Sequence, residues 1–465
     1  MNIFDKLEDN NSSKIFCNEN SYTYKDLVSD ANLYRDSITN RGLAFIICNN
    51  SYDFLVGYIA FVRNNIPVAF INDDIHLSLL KKLVQRFKPS YLYTPNTVLS
   101  ELNNWKKIKK FNSYNLFKNK NNYTIHKDLC LMLMTSGSTG SPEFVRLSHK
   151  NISSNTLSIC QYLNIGSNDV VITTMPPSYS FGISIINSHL FRGSSIVLNQ
   201  RSFMEKDFWN HLINFKVTTF SGVPFSYKIL KKLNFQKTSV PSLKYITQAG
   251  GKLDEHTLEY FAEVCLKKDI KFIVMYGQTE ASPRMSYLPA EKLSSKLTSI
   301  GIPIPGGRFE LIDKNQEIIS NSHTEGELVF YGDNVCMGYA SSYKDLSLGD
   351  LNNGKLYTGD LAEFDKDRYF YITGRKKRFI KIYGIRISLD SVEVKLNNLG
   401  FECACIGTDD KLIIFSEIKK DCVQIKKYTR ETFKLNPKNV IVEYISKIPR
   451  NESGKIQYPK LTNLL

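Results

Sequence analysis

Through the first 280 residues, short apolar runs alternate with longer segments of mixed polarity. Runs such as LAFIIC (43–48), IPVAFI (66–71) and a shorter one at 90–93 have the length and β-branched content of buried strands. Between them, residues 53–63 and 77–87 read as helices. Strand-like runs resume at 129–134, 170–174, 194–198, 218–221, 245–248 and 272–275. This alternation predicts a mainly parallel sheet with helices on its faces.

The pattern changes near residue 300. From 301 to 372 the chain breaks into RFELID, GELVFYG, GKLYTGD and RYFYIT, separated by glycine turns. That predicts a smaller antiparallel β unit. The basic run Arg375, Lys376, Lys377, Arg378 then precedes a stretch of mixed α and β character. The expected architecture is α/β: a large N-terminal domain (1–374) of mainly parallel α/β sheets, with a β-rich subdomain at about 301–374, and a small α+β C-terminal domain (375–465).

Composition narrows the function. A chain of 465 residues with 42% hydrophobic and 23% charged residues is neither a disordered chain nor a disulfide scaffold. Lys and Arg number 60 against 45 Asp and Glu, a net charge of +15. Such a balance suits anionic partners: nucleotides, coenzyme A, an acidic carrier protein, nucleic acid or an anionic membrane. Lysines spread over a solvated surface account for it equally. No nucleic-acid module or aromatic–basic interleaving appears, so no nucleic-acid partner is expected. The nine cysteines are scattered, as free thiols of a reducing compartment would be. On a strand, Cys403 and Cys405 would share one face. The N-terminus lacks a secretory pattern, and the apolar run 54–62 is too short to span a bilayer. A cytoplasmic protein without a membrane span is the expectation.

Five motifs carry candidate chemistry. TSGSTG (135–140) follows a strand-like run, and its small residues let backbone N–H groups converge on phosphate oxygens. A surface turn is the plainer reading, and no Lys-Ser or Lys-Thr closes a P-loop. YGQTE (276–280) sets a threonine hydroxyl beside a carboxylate at a strand end, suited to a phosphate oxygen and magnesium. Asp360 in YTGDL can accept two ribose hydroxyls, or be an ordinary turn aspartate. Gly374-Arg375 followed by IKIYGIRIS (380–388) reads as a basic turn and a strand. PRNESGK (449–455) presents Lys455 on a glycine turn.

In this order, the five motifs resemble those of the adenylate-forming (AMP-binding) superfamily of acyl-CoA synthetases, nonribosomal adenylation domains and luciferases. With no carrier-protein motif attached, the chain resembles a free-standing bacterial member. The resemblance covers nearly the whole chain. It implies a two-step reaction in which a carboxylic acid attacks the α-phosphate of ATP, pyrophosphate leaves, and a thiol takes the acyl group from the adenylate. The acceptor would be CoA or the phosphopantetheine of an acidic acyl carrier protein. The C-terminal domain would be mobile, swinging between steps.

Roles follow by position from the resemblance. Thr135, Ser136, Gly137, Ser138, Thr139 and Gly140 would cradle phosphates. Gly250 and Gly251 would lie against the adenine, with Tyr276, Gly277 and Gln278 beside the nucleotide. Thr279 would contact the α-phosphate and Glu280 would hold Mg2+. Asp360, helped by Arg375, would hold the ribose. Lys455 would bridge carboxylate and α-phosphate. Lys377 would be the hinge, and the turn with Lys381 and Gly384 would face the site in the second step. In MPPSYSFG (175–182), Tyr179 and Gly182 would line the acyl pocket.

Two departures stand out. Where the family carries Lys-Gly after TSGSTG, this chain has Glu143 and Phe144. Glu143 repels phosphate, and Arg146 is the nearest candidate to offset it. The C-terminal part also looks shorter than usual. No aspartate lies between Pro177 and Ser188 to pair with a substrate amine, which disfavours an amino acid. An acid–thiol ligase is thus the first expectation. An amino-acid-adenylating enzyme loading a carrier protein is the second, and a non-catalytic nucleotide-binding homologue is the third.

Overall fold

The computed structural model describes residues 3–5, 7–9, 13–95, 105–135, 143–376, 378–382, 385–408, 411–433, 435–451 and 454–464. Ser136, Gly137, Ser138, Thr139, Gly140, Lys377 and Gly384 lie outside the described residues, as does the side chain of Lys381.

Two large sheets organise the first 300 residues. In one, the strands Tyr91–Pro95, Ala44–Cys48, Val68–Asn72 and Leu129–Thr135 lie side by side and parallel, with antiparallel strands at both edges. In the other, Lys14–Cys17, Ser195–Leu198, Val170–Ile172, Thr219–Gly222, Tyr245–Gln248 and Lys271–Gly277 run parallel. The apolar runs are continuous because both faces of these strands are covered. Ile46 enters the core between the two sheets, and its neighbour Ile47 enters the core beneath helix Leu77–Phe87.

Helices Tyr52–Arg63 and Ser180–Arg192 fill the space between the sheets, with Tyr52 to Val62 and Phe181 to Leu190 buried without interruption. A helix between two sheets needs no polar face. The second of these helices is absent from the sequence reading. Its serines, Asn187 and His189 resemble a loop, although they are buried.

The β-rich part is a four-stranded antiparallel sheet of Gly307–Ile312, Gly326–Gly332, Lys355–Phe364 and Phe370–Arg375. It is less self-contained than the sequence predicts. Ile302–Pro303 joins the second large sheet, and Tyr339–Ala340 pairs with Glu143–Ser148 at the edge of the first. Arg146 explains the second excursion. Its buried guanidinium donates to the carbonyls of Met337, Tyr339, Leu348 and Gly349. Arg146 is therefore committed to holding this loop and does not offset Glu143.

The run 380–388 is not one strand but an antiparallel hairpin, Phe379–Ile382 with Ile385–Ser388. Next come helix Leu389–Asn398 and a three-stranded sheet of Cys403–Thr408, Lys411–Ser416 and Val440–Tyr444. Cys403 and Cys405 enter the same core from one strand face, and all nine cysteines are free thiols. Among the described residues no helix is long and apolar enough to cross a membrane.

Candidate active site

The strand Lys271–Gly277 ends at Tyr276 and Gly277, and a single 3-10 turn, Thr279–Ala281, links it to the antiparallel strand Arg284–Leu288. Gly277 is obligatory for a steric reason. A Cβ there would lie 1.9 Å from the Pro283 carbonyl oxygen, so only glycine lets the chain reverse this tightly. The turn carries Thr279 and Glu280 at the end of a parallel strand, the usual ligand position in an open α/β sheet.

Asp360 is the centre of the polar cluster, at 3% exposure. Its Oδ2 accepts from the Tyr276 hydroxyl and from Gln278 Nε2 (2.9 Å), and its Oδ1 accepts from Arg375 Nε at 3.0 Å. Arg375 is its direct ladder partner on the next strand. Four of the predicted residues thus meet across sequence separations of 82 and 84 residues. Burial, then the Asp360 carboxylate, pushes the Tyr276 phenol well above its ordinary range, so it remains a donor.

Glu280 is fixed from another direction. Its carboxylate accepts from the Tyr339 hydroxyl at 2.7 Å, and its carbonyl accepts from Cys336 N–H at 2.8 Å. The same loop holds Glu143, whose Oε1 accepts from Ser341 Oγ at 2.9 Å. Glu143 is also the ladder partner of Thr135, where the TSGSTG run begins. The segment around 336–341 therefore ties the two carboxylates together, and no motif of the sequence reading includes it.

Thr279 Oγ1 lies 3.1 Å from the Ser180 hydroxyl at the start of helix Ser180–Arg192. Tyr179 is the N-cap of that helix. At Gly182 a Cβ would meet the Pro176 carbonyl at 2.1 Å. The glycine lets the helix start press against the 175–177 loop, which is a packing reason for its presence. Gly250 and Gly251 form the turn after Tyr245–Gln248 and pack on Val223 and Pro224.

Lys455 approaches the cluster from the C-terminal unit. Its turn is closed by two hydrogen bonds, Asn451 N to Lys455 O (2.9 Å) and Lys455 N to Asn451 Oδ1 (2.8 Å). Gly454 abuts Phe225 in helix Pro224–Lys232, and Lys228 forms an ion pair with Glu402 at 3.1 Å. Lys455 keeps much of its surface open. Even so, the surrounding protein removes enough water to lower its pKa, and Arg375 lowers it further against the opposing Glu280 and Asp360. A lysine, two carboxylates and an arginine thus share one electrostatic environment.

A large α/β body followed by a smaller C-terminal unit is the architecture of adenylate-forming enzymes. The chain belongs to the AMP-binding enzyme family, whose sequence profile matches residues 7–340. It superposes on an ATP-bound RpMatB–BxBclM chimera with a TM-score of 0.80 at 20% identity, over 100% of this chain and 98% of that one. O-succinylbenzoate coenzyme A synthetase from Bacillus subtilis in complex with AMP gives a TM-score of 0.80 at 20% identity, over 99% and 98% of the two chains. In sequence the chain is 28% identical over 354 residues to a medium-chain fatty-acid–CoA ligase of Escherichia coli K12, covering 72% of this chain and 61% of that protein. It is 30% identical over 278 residues to 4-coumarate–CoA ligase-like 6 of Arabidopsis thaliana, covering 58% and 48%. The chain therefore spans about half to two thirds of the length of these curated relatives.

Proposed function

We propose that the protein is an ATP-dependent acid–thiol ligase. The observation that carries this reading is the network in which Tyr276, Gln278 and Arg375 orient the buried Asp360, beside the Thr279–Glu280 turn, with Lys455 near enough to feel the charges of Glu280, Asp360 and Arg375. In the first step a carboxylate oxygen bonds to the α-phosphorus and the bond to pyrophosphate breaks. Negative charge crowds at that phosphorus. Lys455 and the Thr279 hydroxyl are donors suited to it, while Asp360, oriented by Tyr276, Gln278 and Arg375, holds the ribose. In the second step a thiol attacks the acyl carbonyl, loses its proton and displaces AMP.

Glu280 supplies one carboxylate, and among the described residues no group of three or more His, Cys, Asp or Glu gathers as a metal site. This fits magnesium borne largely by phosphates and water, with Glu280 as its protein ligand. Its chemistry there would be neutralisation of phosphate charge. The TSGSTG residues would cradle those phosphates. Residues 1–374 and 375–465 would be the two moving bodies, hinged at Lys377, with Lys381 and Gly384 facing the site in the thiol step.

The relatives' names favour CoA as the acceptor; the phosphopantetheine of a carrier protein presents the same thiol. Free cysteines throughout suit the cytoplasm. The test is ATP–pyrophosphate exchange across a panel of fatty, aromatic, dicarboxylic and amino acids, followed by thioester formation with CoA. Exchange with one acid class and AMP release on adding CoA are expected. Exchange that occurs without thioester formation on CoA would move the acceptor to a carrier protein. Absence of both exchange and adenylate binding would overturn the ligase reading.

Glu143 gives a second expected result. Replacing it by lysine reverses the charge beside Thr135, and the KM for ATP should fall about fivefold, more at low salt. Steady-state kinetics at two ionic strengths check this. An unchanged KM would mean that Glu143 lies too far from the phosphates to act on them.

A further inference from the structure

Two arginine side chains are buried almost completely, Arg146 at 0% and Arg284 at 3% exposure. They are in opposite condition. Arg146 donates to four carbonyls. Arg284 has no ion-pair partner among the described residues, and its buried Nε has no hydrogen-bond acceptor. The guanidinium lies over the Phe181 ring, 4.0 Å from its centroid, with the Tyr162 phenol beside it. Arginine retains its charge even when buried. A ring face and a hydrogen bond with the Tyr162 hydroxyl offset part of its desolvation, but Nε stays unbonded and a buried cation without a counter-charge is costly to a fold.

The location says where that counter-charge comes from. Arg284 faces Gly277 across the hairpin that carries Thr279 and Glu280. Phe181 follows Ser180, the residue whose hydroxyl meets Thr279. The Tyr162 phenol also contacts Met275 Sδ at 3.0 Å, one residue before Tyr276. The segments that present Thr279 thus also supply an aromatic and thioether wall with one cation set into it. On the ligase reading, an acyl group joined to the α-phosphate at Thr279 would lie next to these same segments, since Ser180 touches Thr279.

We propose that Arg284 determines acid specificity, and that the acid activated here carries a second anionic group, such as a distal carboxylate, which pairs with its guanidinium. The inference rests on the ligase reading above and names its substrate class. A planar guanidinium offers two parallel donors to a carboxylate, so the pair is both neutralising and directional. The same cation repels a substrate ammonium, a second reason against α-amino acids.

The test uses the full chain and acyl-sulfamoyl adenosines in a series of lengths, each made with a terminal carboxylate and with a terminal methyl. Calorimetric titration should show the carboxylate form binding about 100-fold more tightly at one length. Arg284→Met should abolish that preference, and Arg284→Lys should keep part of it. The methionine variant should melt no lower than the wild type, because it replaces an unpaired buried charge by an apolar chain; should it melt lower, the lysine variant decides. Pyrophosphate exchange with matched mono- and dicarboxylic acids should show the same preference. Equal binding of both forms at every length, or a preference that survives in Arg284→Met, would overturn the role of Arg284 and leave the ligase standing. No binding of any analogue together with no exchange would remove the ligase reading, and this inference with it.

Discussion

Lys455→Ala is expected to slow acid-dependent pyrophosphate exchange by about 1000-fold, the scale set by removing one charged donor from a developing oxyanion. Transfer from a preformed acyl-adenylate to CoA should be largely retained. The asymmetry follows from position. Lys455 sits on a turn of the C-terminal unit within electrostatic reach of Glu280, Asp360 and Arg375 in this arrangement. On the proposed function its work would be the bridging of carboxylate and α-phosphate, which would end once the adenylate exists. The two half-reactions, measured separately, check this. Equal loss in both would make Lys455 a general binding residue.

The same lysine sets a pH dependence. Its pKa is lowered from the ordinary 10.5, first by loss of water and then by Arg375. In the proposed first step the group would act as an ammonium. A lowered pKa means the proton is lost at a lower pH than for a free lysine, so kcat/KM for exchange should fall on the alkaline side earlier than that value. In Lys455→Arg the guanidinium stays charged throughout, and that alkaline limb should move upward or vanish. A limb unchanged by this substitution would belong to another group.

Much of the frame was legible because burial was uniform. Strands covered on both faces appear as apolar runs, and helix Leu77–Phe87, which packs on one side only, was read with the bounds it has. Helix Ser180–Arg192 was not, since a helix enclosed between two sheets tolerates Ser184, Asn187 and His189 inside it and shows no polar stripe. The hairpin Phe379–Ile382 with Ile385–Ser388 passed for a single strand because both arms carry the same alternation. For the site, the motifs supplied Tyr276, Gln278, Asp360 and Arg375, which meet in one network. Tyr339, Ser341 and Arg284 carried no local signal. Their importance comes from long-range contacts with Glu280 and Glu143, and, for Arg284, from burial that an isolated arginine codon does not announce.

Gly277→Ala should be the most damaging small substitution in the turn that carries Thr279 and Glu280. The new methyl carbon would sit 1.9 Å from the Pro283 carbonyl oxygen and 2.8 Å from its carbon. Neither atom belongs to a side chain that can swing aside. The Pro283 carbonyl also accepts from Gln278 N–H at 2.9 Å, closing the turn on which Thr279 and Glu280 ride. Relief requires opening that turn, at a cost of about 3 kcal/mol or more. Thermal unfolding should register a drop of several degrees. Pyrophosphate exchange, measured at a temperature where the variant is folded, should fall by about 100-fold, because a displacement of about 1 Å at the reacting centre costs that much. Gly359→Ala separates the clash from backbone conformation: Gly359 has φ +70 with nothing within 4 Å of its Cβ position. That variant should lose only about 1 kcal/mol, the penalty of a left-handed alanine. If the two variants behaved alike, the close approach of Pro283 would not be what holds Thr279 and Glu280 in position.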